Sequence, residues 1–157
     1  NGYSEMNPEK LQCMVQLIVS KEKNGVPKTK LNKEMYYADF YSYKKYGRSI
    51  SGLAYRAIQY GPVPEHYETV YDHVQGLIKK SIETSADFEY DLLFCDSPDT
   101  SALSKEDISV INHVMSVLVD MKRADVVDLS HKENGWINNK DHHNIIPYDE
   151  AYSLKAF

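Results

Sequence analysis

The chain of 157 residues has only two cysteines, seven glycines and a single tryptophan. Cys13 and Cys95 cannot form a disulfide framework. Each stands among apolar neighbours (Met14 and Val15; Leu93 and Phe94), the setting of packed, reduced thiols in a cytosolic protein. Neither has a sequence-local base or cationic cluster beside it, which argues against an activated thiol. No Gly-x-Gly-x-x-Gly, P-loop or Gly-x-Ser-x-Gly occurs, so nucleotide cradles and the nucleophile elbow have no local signature here. Also missing are His-Glu-x-x-His and paired Cys-x-x-Cys. There is no signal-peptide pattern and no apolar run long enough to span a bilayer, and no membrane partner is expected. A basic excess is absent too: the net charge is −5 and the pI about 5.7. That balance argues against a nucleic-acid surface as the main business of the chain and leaves room only for a local basic patch.

What the chain has is tyrosine, thirteen of them. Tyrosine offers a large, stiff contact area with a polar tip, which suits core edges and binding surfaces. The length fits one domain spanning 1–157, with a core that buries roughly 70% of the unfolded surface. Asn7-Pro8-Glu9 is a helix start, a capping residue followed by proline at the first helical position, and Leu11, Met14, Val15 and Ile18 share one face. Asn24-Gly25-Val26-Pro27 turns the chain. A second helix is expected from about Thr29 to Tyr46. Tyr36, Tyr37, Phe40 and Tyr41 surround it with aromatics, the mark of a helix in the middle of a bundle. Lys44, Lys45 and Gly47 suit its end. Leu53 to Tyr60 reads as a strand. Gly61-Pro62-Val63-Pro64 is expected to end the ladder, because two of its residues lack an N–H. Tyr67, Val70, Tyr71, Val74, Leu77 and Ile78 form a helical stripe. Phe88 to Cys95 reads as a strand, and Ser104 to Asp107 as a capping box opening a long helix over Ile108 to Val119. Arg123 to His131 reads as a short helix, Lys132 to Asn144 as a solvated loop, Asn144 to Tyr148 as an edge strand, and Asp149 onward as a last short helix. The expected fold is α+β and mainly helical: five or six helices around a central aromatic helix, with a small antiparallel sheet.

Few residues offer chemistry. His131, His142 and His143 lie close together in sequence with Asp128, Glu133 and Asp141, and a metal-dependent hydrolase can be drawn from them. Their spacing matches no metal motif, and adjacent histidines in a polar loop point different ways. No metal or other cofactor is expected. His66, His73 and His113 read as helix-flank residues. His131 follows a helix whose dipole would favour its charged form. Trp136 reads as a pin for the loop after that helix, or as an aromatic anchor at a partner interface. Asp39, set among aromatics, reads as a structural acceptor for a tyrosine or a basic side chain, with Arg48 and Arg56 as candidate partners; a carboxyl of raised pKa is the functional alternative.

The order of several words resembles the Panacea domain, the SocA-like antitoxin domain also found in phage-associated GepA-like proteins. The words are Lys30 to Phe40, Tyr43-Lys44-Lys45-Tyr46-Gly47, Ser49-Ile50-Ser51-Gly52 with Tyr55, and Tyr60-Gly61-Pro62-Val63-Pro64. Leu103-Ser104, Leu129-Ser130-His131, Gly135-Trp136 and Ile146-Pro147-Tyr148 follow in family order, so the resemblance runs from about Leu11 onward. Glu34-Met35 stands where a more apolar pair is expected, and Asn134 where proline is common. The resemblance implies a non-enzymatic, cytoplasmic protein-binding module that neutralises a cognate toxin in a bacterial or phage toxin–antitoxin system. An adaptor that delivers its toxin to a protease is the family's other mode. Asp39, Tyr43, Tyr60, Gly61, Pro62, Pro64, His131 and Trp136 are the motif or partner-binding candidates. Some family members carry a DNA-binding region ahead of this domain, and Asn1-Gly2-Tyr3 resembles the junction after it. The chain is therefore expected to be the C-terminal part of a longer one, with residues 1–6 a linker or expression scar, and any DNA binding is expected only through the preceding part.

Overall fold

The computed structural model describes residues 2–83 and 89–157. Helix α1 (Pro8–Lys21) starts as its sequence dictates: the Asn7 side chain accepts from the backbone N–H of Glu9 and Lys10 at 3.1 and 3.2 Å. A two-residue strand, β1 (Val26–Pro27), leads directly into α2 (Lys28–Tyr46). Every residue of α2 from Lys30 to Phe40 is buried, which explains why its aromatics are not confined to one stripe. Gly47, at φ 76°, closes the helix, with its N–H donating to the carbonyl of Tyr43. Around α2 pack α1, β1, a β-hairpin, α3 (Lys105–Leu118), α4 (Arg123–Ser130) and a 3-10 helix, Tyr148–Ser153. The capping box of α3 forms in both directions, Ser104 with Asp107. Cys13 and Cys95 are buried free thiols. The molecule is mainly helical α+β.

The β structure is two small antiparallel units. Strand β5 (Glu89–Phe94) lies between β1 and β4 (Ile78–Glu83), and β2 (Tyr55–Ile58) pairs with β3 (Gly61–Pro64). Phe88, expected to open β5, lies outside the described residues. The second pairing corrects the expectation that Gly61 to Pro64 ends the ladder. In its register Tyr55 faces Pro64, Arg56 faces Val63, and Ile58 faces Gly61. Glu65 continues the alternation, donating its N–H to Ala54. Gly61, Val63 and Glu65 therefore turn toward β2, while the prolines occupy the alternate positions, where a missing N–H costs the ladder nothing. On the other side of β2, Ala57 donates to Asn144 and Ile146 donates to Tyr55, so the expected edge strand near Pro147 is reduced to a single bridge, Arg56 with Ile145.

Two further expectations fail. The stripe from Tyr67 to Ile78 is not a helix but a series of turns, and Ile78 instead opens β4. Side chains from other helices hold those turns. Tyr71 donates to Asn32 on α2 at 2.8 Å, and Gln12 on α1 takes both the carbonyl of His73 and the N–H of Gln75. His66 at φ 59° and Gly76 at φ 76° bracket the segment with backbone that a helix does not use. The stretch Lys132 to Asn144 is not a plain loop either. It contains the one-turn helix α5 (Asn134–Ile137) and a 3-10 turn, Lys140–His142, with Glu133 and Gly135 buried. Near the start of the chain, residues 2–5 lie against the loop after α2. Ser49 donates to the carbonyl of Gly2, Ser4 donates to that of Ser49, and Tyr3 stacks on Tyr43.

Candidate functional site: a braced hairpin corner

The sequence-selected residues fall into two connected groups. The first centres on Asp39, which is wholly buried on α2. One carboxylate oxygen accepts from the backbone N–H of Ile50 and Ser51 at 2.8 and 2.9 Å. The other accepts from Ser51 Oγ at 2.5 Å and from the Tyr55 hydroxyl at 2.6 Å. Asp39 is thus an acceptor that fixes the loop after α2, and Tyr55 is the tyrosine donor expected for it, but neither Arg48 nor Arg56 is its partner. Arg56 pairs with Glu65 and donates to the carbonyl of His143, and Arg48 is exposed. Short hydroxyl and amide donors reach into a closed core without carrying a second charge there. Burial raises the carboxyl's pKa, and the hydrogen bonds from Ser51, Tyr55 and Ile50 work against that rise. Further along α2, Tyr43 is buried and its hydroxyl lies 3.3 Å from Asp149.

Tyr55 joins this hub to the second group, because it is also the first residue of β2. The β2–β3 turn is held from beneath by α4 and α5. Trp136 donates its indole N–H to the carbonyl of Ile58 at 2.7 Å, and His131 Nε2 lies 3.1 Å from the carbonyl of Gln59. The two rings stack, with centroids 4.0 Å apart, and Lys140 stands over the indole. Gly61 has φ +106°, and a Cβ there would come within 2.6 Å of both Ser130 Oγ and Lys33 Cε. Only glycine meets both demands. Pro62 and Pro64 are buried in β3. Tyr60 alone among the eight candidates projects outward, 60% exposed at the tip of this brace. The expected dipole effect on His131 does not prevail. Partial burial leads in lowering its pKa, and nearby Lys33 and Lys140 add to that, against the Gln59 hydrogen bond and Asp128.

His142 and His143 are exposed, and the His143 backbone turns left-handed at φ 49°. Among the described residues no group of three or more histidines, cysteines and acids is arranged to hold a metal. Three buried charged residues have roles that the sequence does not show. Lys33 lies beneath Gly61, wholly buried and with no hydrogen-bond partner among the described residues, and desolvation lowers its pKa to about 7. Glu34, beside it in sequence, is held well above the carboxylate range by burial, with neighbouring Glu22 adding to the effect. Glu133 gathers the Tyr37 hydroxyl and the backbone N–H of Lys155 and Ala156, tying the end of the chain to α2. The signal for Lys33 was its place inside an aromatic helix, and for Glu34 also its standing where the family has a more apolar residue.

Residues 31–137 match the profile of the family described as antitoxin SocA-like, Panacea domain. The match covers more than half of the chain, which therefore belongs to this family. It is narrower than the resemblance read from the words, beginning at Leu31 on α2 and ending at Ile137 on α5. It encloses Asp39 and the whole hairpin corner. No curated protein and no solved structure matches the chain. No helix among the described residues is long and apolar enough to cross a membrane.

Proposed function

We propose that this domain neutralises a protein toxin by binding it directly, with the hairpin corner at the contact. The observation that carries the reading is the corner itself, inside the family-matched segment. Two indole and imidazole contacts, a glycine-specific turn and a buried carboxylate hub are spent on holding one exposed tyrosine. A preorganised aromatic with a polar tip loses little entropy on binding, and such residues carry a large share of interface energy. The motif residues around it build the support: Asp39, Gly61, Pro62 and Pro64 are buried, where they serve geometry.

Co-expression with the proteins encoded beside its gene tests the proposal. The expected result is rescue of growth from one of them and co-purification of that protein with this chain. Tyr60→Ala should weaken both while leaving the melting temperature unchanged. Rescue that requires degradation of the toxin, seen as its loss on addition of a protease, would assign the adaptor mode instead. Binding to none of the neighbours would contradict the proposal.

A further inference from the structure

A second feature lies at the opposite end of α4 from the hairpin corner. The end of α1 and its turn, Lys21 to Gly25, face the α3–α4 connection, Val119 to Arg123, across a cleft of about 610 Å³. The cleft is lined by five cationic side chains against two acidic ones, in a chain whose net charge is −5. Lys21, Lys23, Lys122 and Arg123 are exposed around its rim. The fifth cation, Lys30, is buried, pairs with Glu22 at 2.8 Å and donates to the carbonyl of Val119. Internal pairing therefore uses up Glu22, and Asp120 is the one acid left on the exposed lining. Lys80 extends the positive field: its amine stands over the Phe94 ring, which packs on Gly25. Met121 gives the wall a half-buried apolar patch.

We infer that this cleft receives an acidic, aliphatic-anchored segment of the protein partner. The inference rests on the reading of this domain as a toxin-binding module and adds the chemistry of what it binds. The four rim cations have no acidic partner among the described residues, which favours carboxylates, and Met121 suits an aliphatic side chain between them. A peptide also brings N–H donors for Asp120, whereas a phosphodiester backbone presents only acceptors there. Among the described residues no aromatic ring lines the cleft to stack a base. The position supports one continuous contact, since α4, about 12 Å long, runs from Arg123 at the cleft to Ser130 beneath Gly61.

The test uses the full chain and a fluorescein-labelled peptide of glutamate pairs separated by leucines, followed by anisotropy at about 50 mM salt. Saturable binding is expected, weakened about tenfold by Lys23→Glu/Arg123→Glu and less by Lys23→Gln/Arg123→Gln. Both positions are exposed, and the neutral pair keeps the test valid if the charge-reversed pair folds poorly. No saturation up to about 1 mM peptide, or equal affinity for parent and variants, overturns the inference. So does an oligothymidylate of equal charge that binds more tightly through the same residues. The toxin found by co-expression supplies the second arm. Loss of its binding in the variants supports the assignment, and equal binding overturns the cleft while leaving neutralisation by binding intact. A toxin that binds neither parent nor variant counts against the neutralisation reading, and the peptide result then decides the cleft alone.

Discussion

At the scale of single residues, stability and function pull on the same few buried polar groups. Asp39 gathers four donors in a closed core, so removing it strands two backbone N–H groups and two hydroxyls at once. Asp39→Ala should cost about 3 kcal/mol or more, measured by urea unfolding, with Asp39→Asn losing less because it keeps one acceptor. A change below about 1 kcal/mol for the alanine variant would show that the hub is not what holds the loop. Lys33 behaves in the opposite sense. Its folded pKa of about 7 lies below the ordinary value of 10.5, so the unfolded chain binds more protons between those values. Its contribution to stability therefore improves as pH rises from about 7 toward 10.5. Lys33→Met should be more stable than the parent by on the order of 2 kcal/mol near neutrality, with the gap closing at alkaline pH. A gap that stays constant with pH would place the amine in contact with water or an anion.

At the scale of elements, the sequence was legible where local rules and burial agree. The Asn7 cap, the Ser104–Asp107 box and the Gly47 stop all work through neighbours a few residues away, and each appears as read. The aromatic helix was legible as central because Tyr36, Tyr37, Phe40 and Tyr41 surround it instead of lining one face. Elements held by distant side chains were not legible. The stripe from Tyr67 to Ile78 has helical spacing, yet Asn32 and Gln12 impose turns on it from two other helices. The proline-rich word failed as a terminator because alternation, not composition, decides which N–H groups a ladder needs. The candidate site was legible as a set of words, but their division into support and contact was not, since it depends on Trp136 and His131 meeting the carbonyls of Ile58 and Gln59. Gly61 belongs to this scale. Gly61→Ala would place a Cβ against Ser130 and Lys33 at a positive φ, and it should destabilise by about 2 kcal/mol and loosen the hairpin. Hydrogen exchange at Val63 and Glu65 checks this, and unchanged protection would mean that the turn relaxes without strain.

At the scale of the whole molecule, an acidic domain keeps a cationic cleft and an exposed tyrosine at a braced turn at the two ends of one short helix, α4. Both lie beside α2, where Lys30 and Lys33, one turn apart, sit beneath the cleft and the corner. The most direct measurement is calorimetric titration of the purified toxin, identified by rescue, into this chain and into its Tyr60→Ala variant. One-to-one binding at micromolar affinity or tighter is expected for the parent, weakened about tenfold in the variant with the fold intact. Equal affinity for both would contradict the hairpin corner as the contact, and no heat of binding with the parent would contradict neutralisation by direct binding.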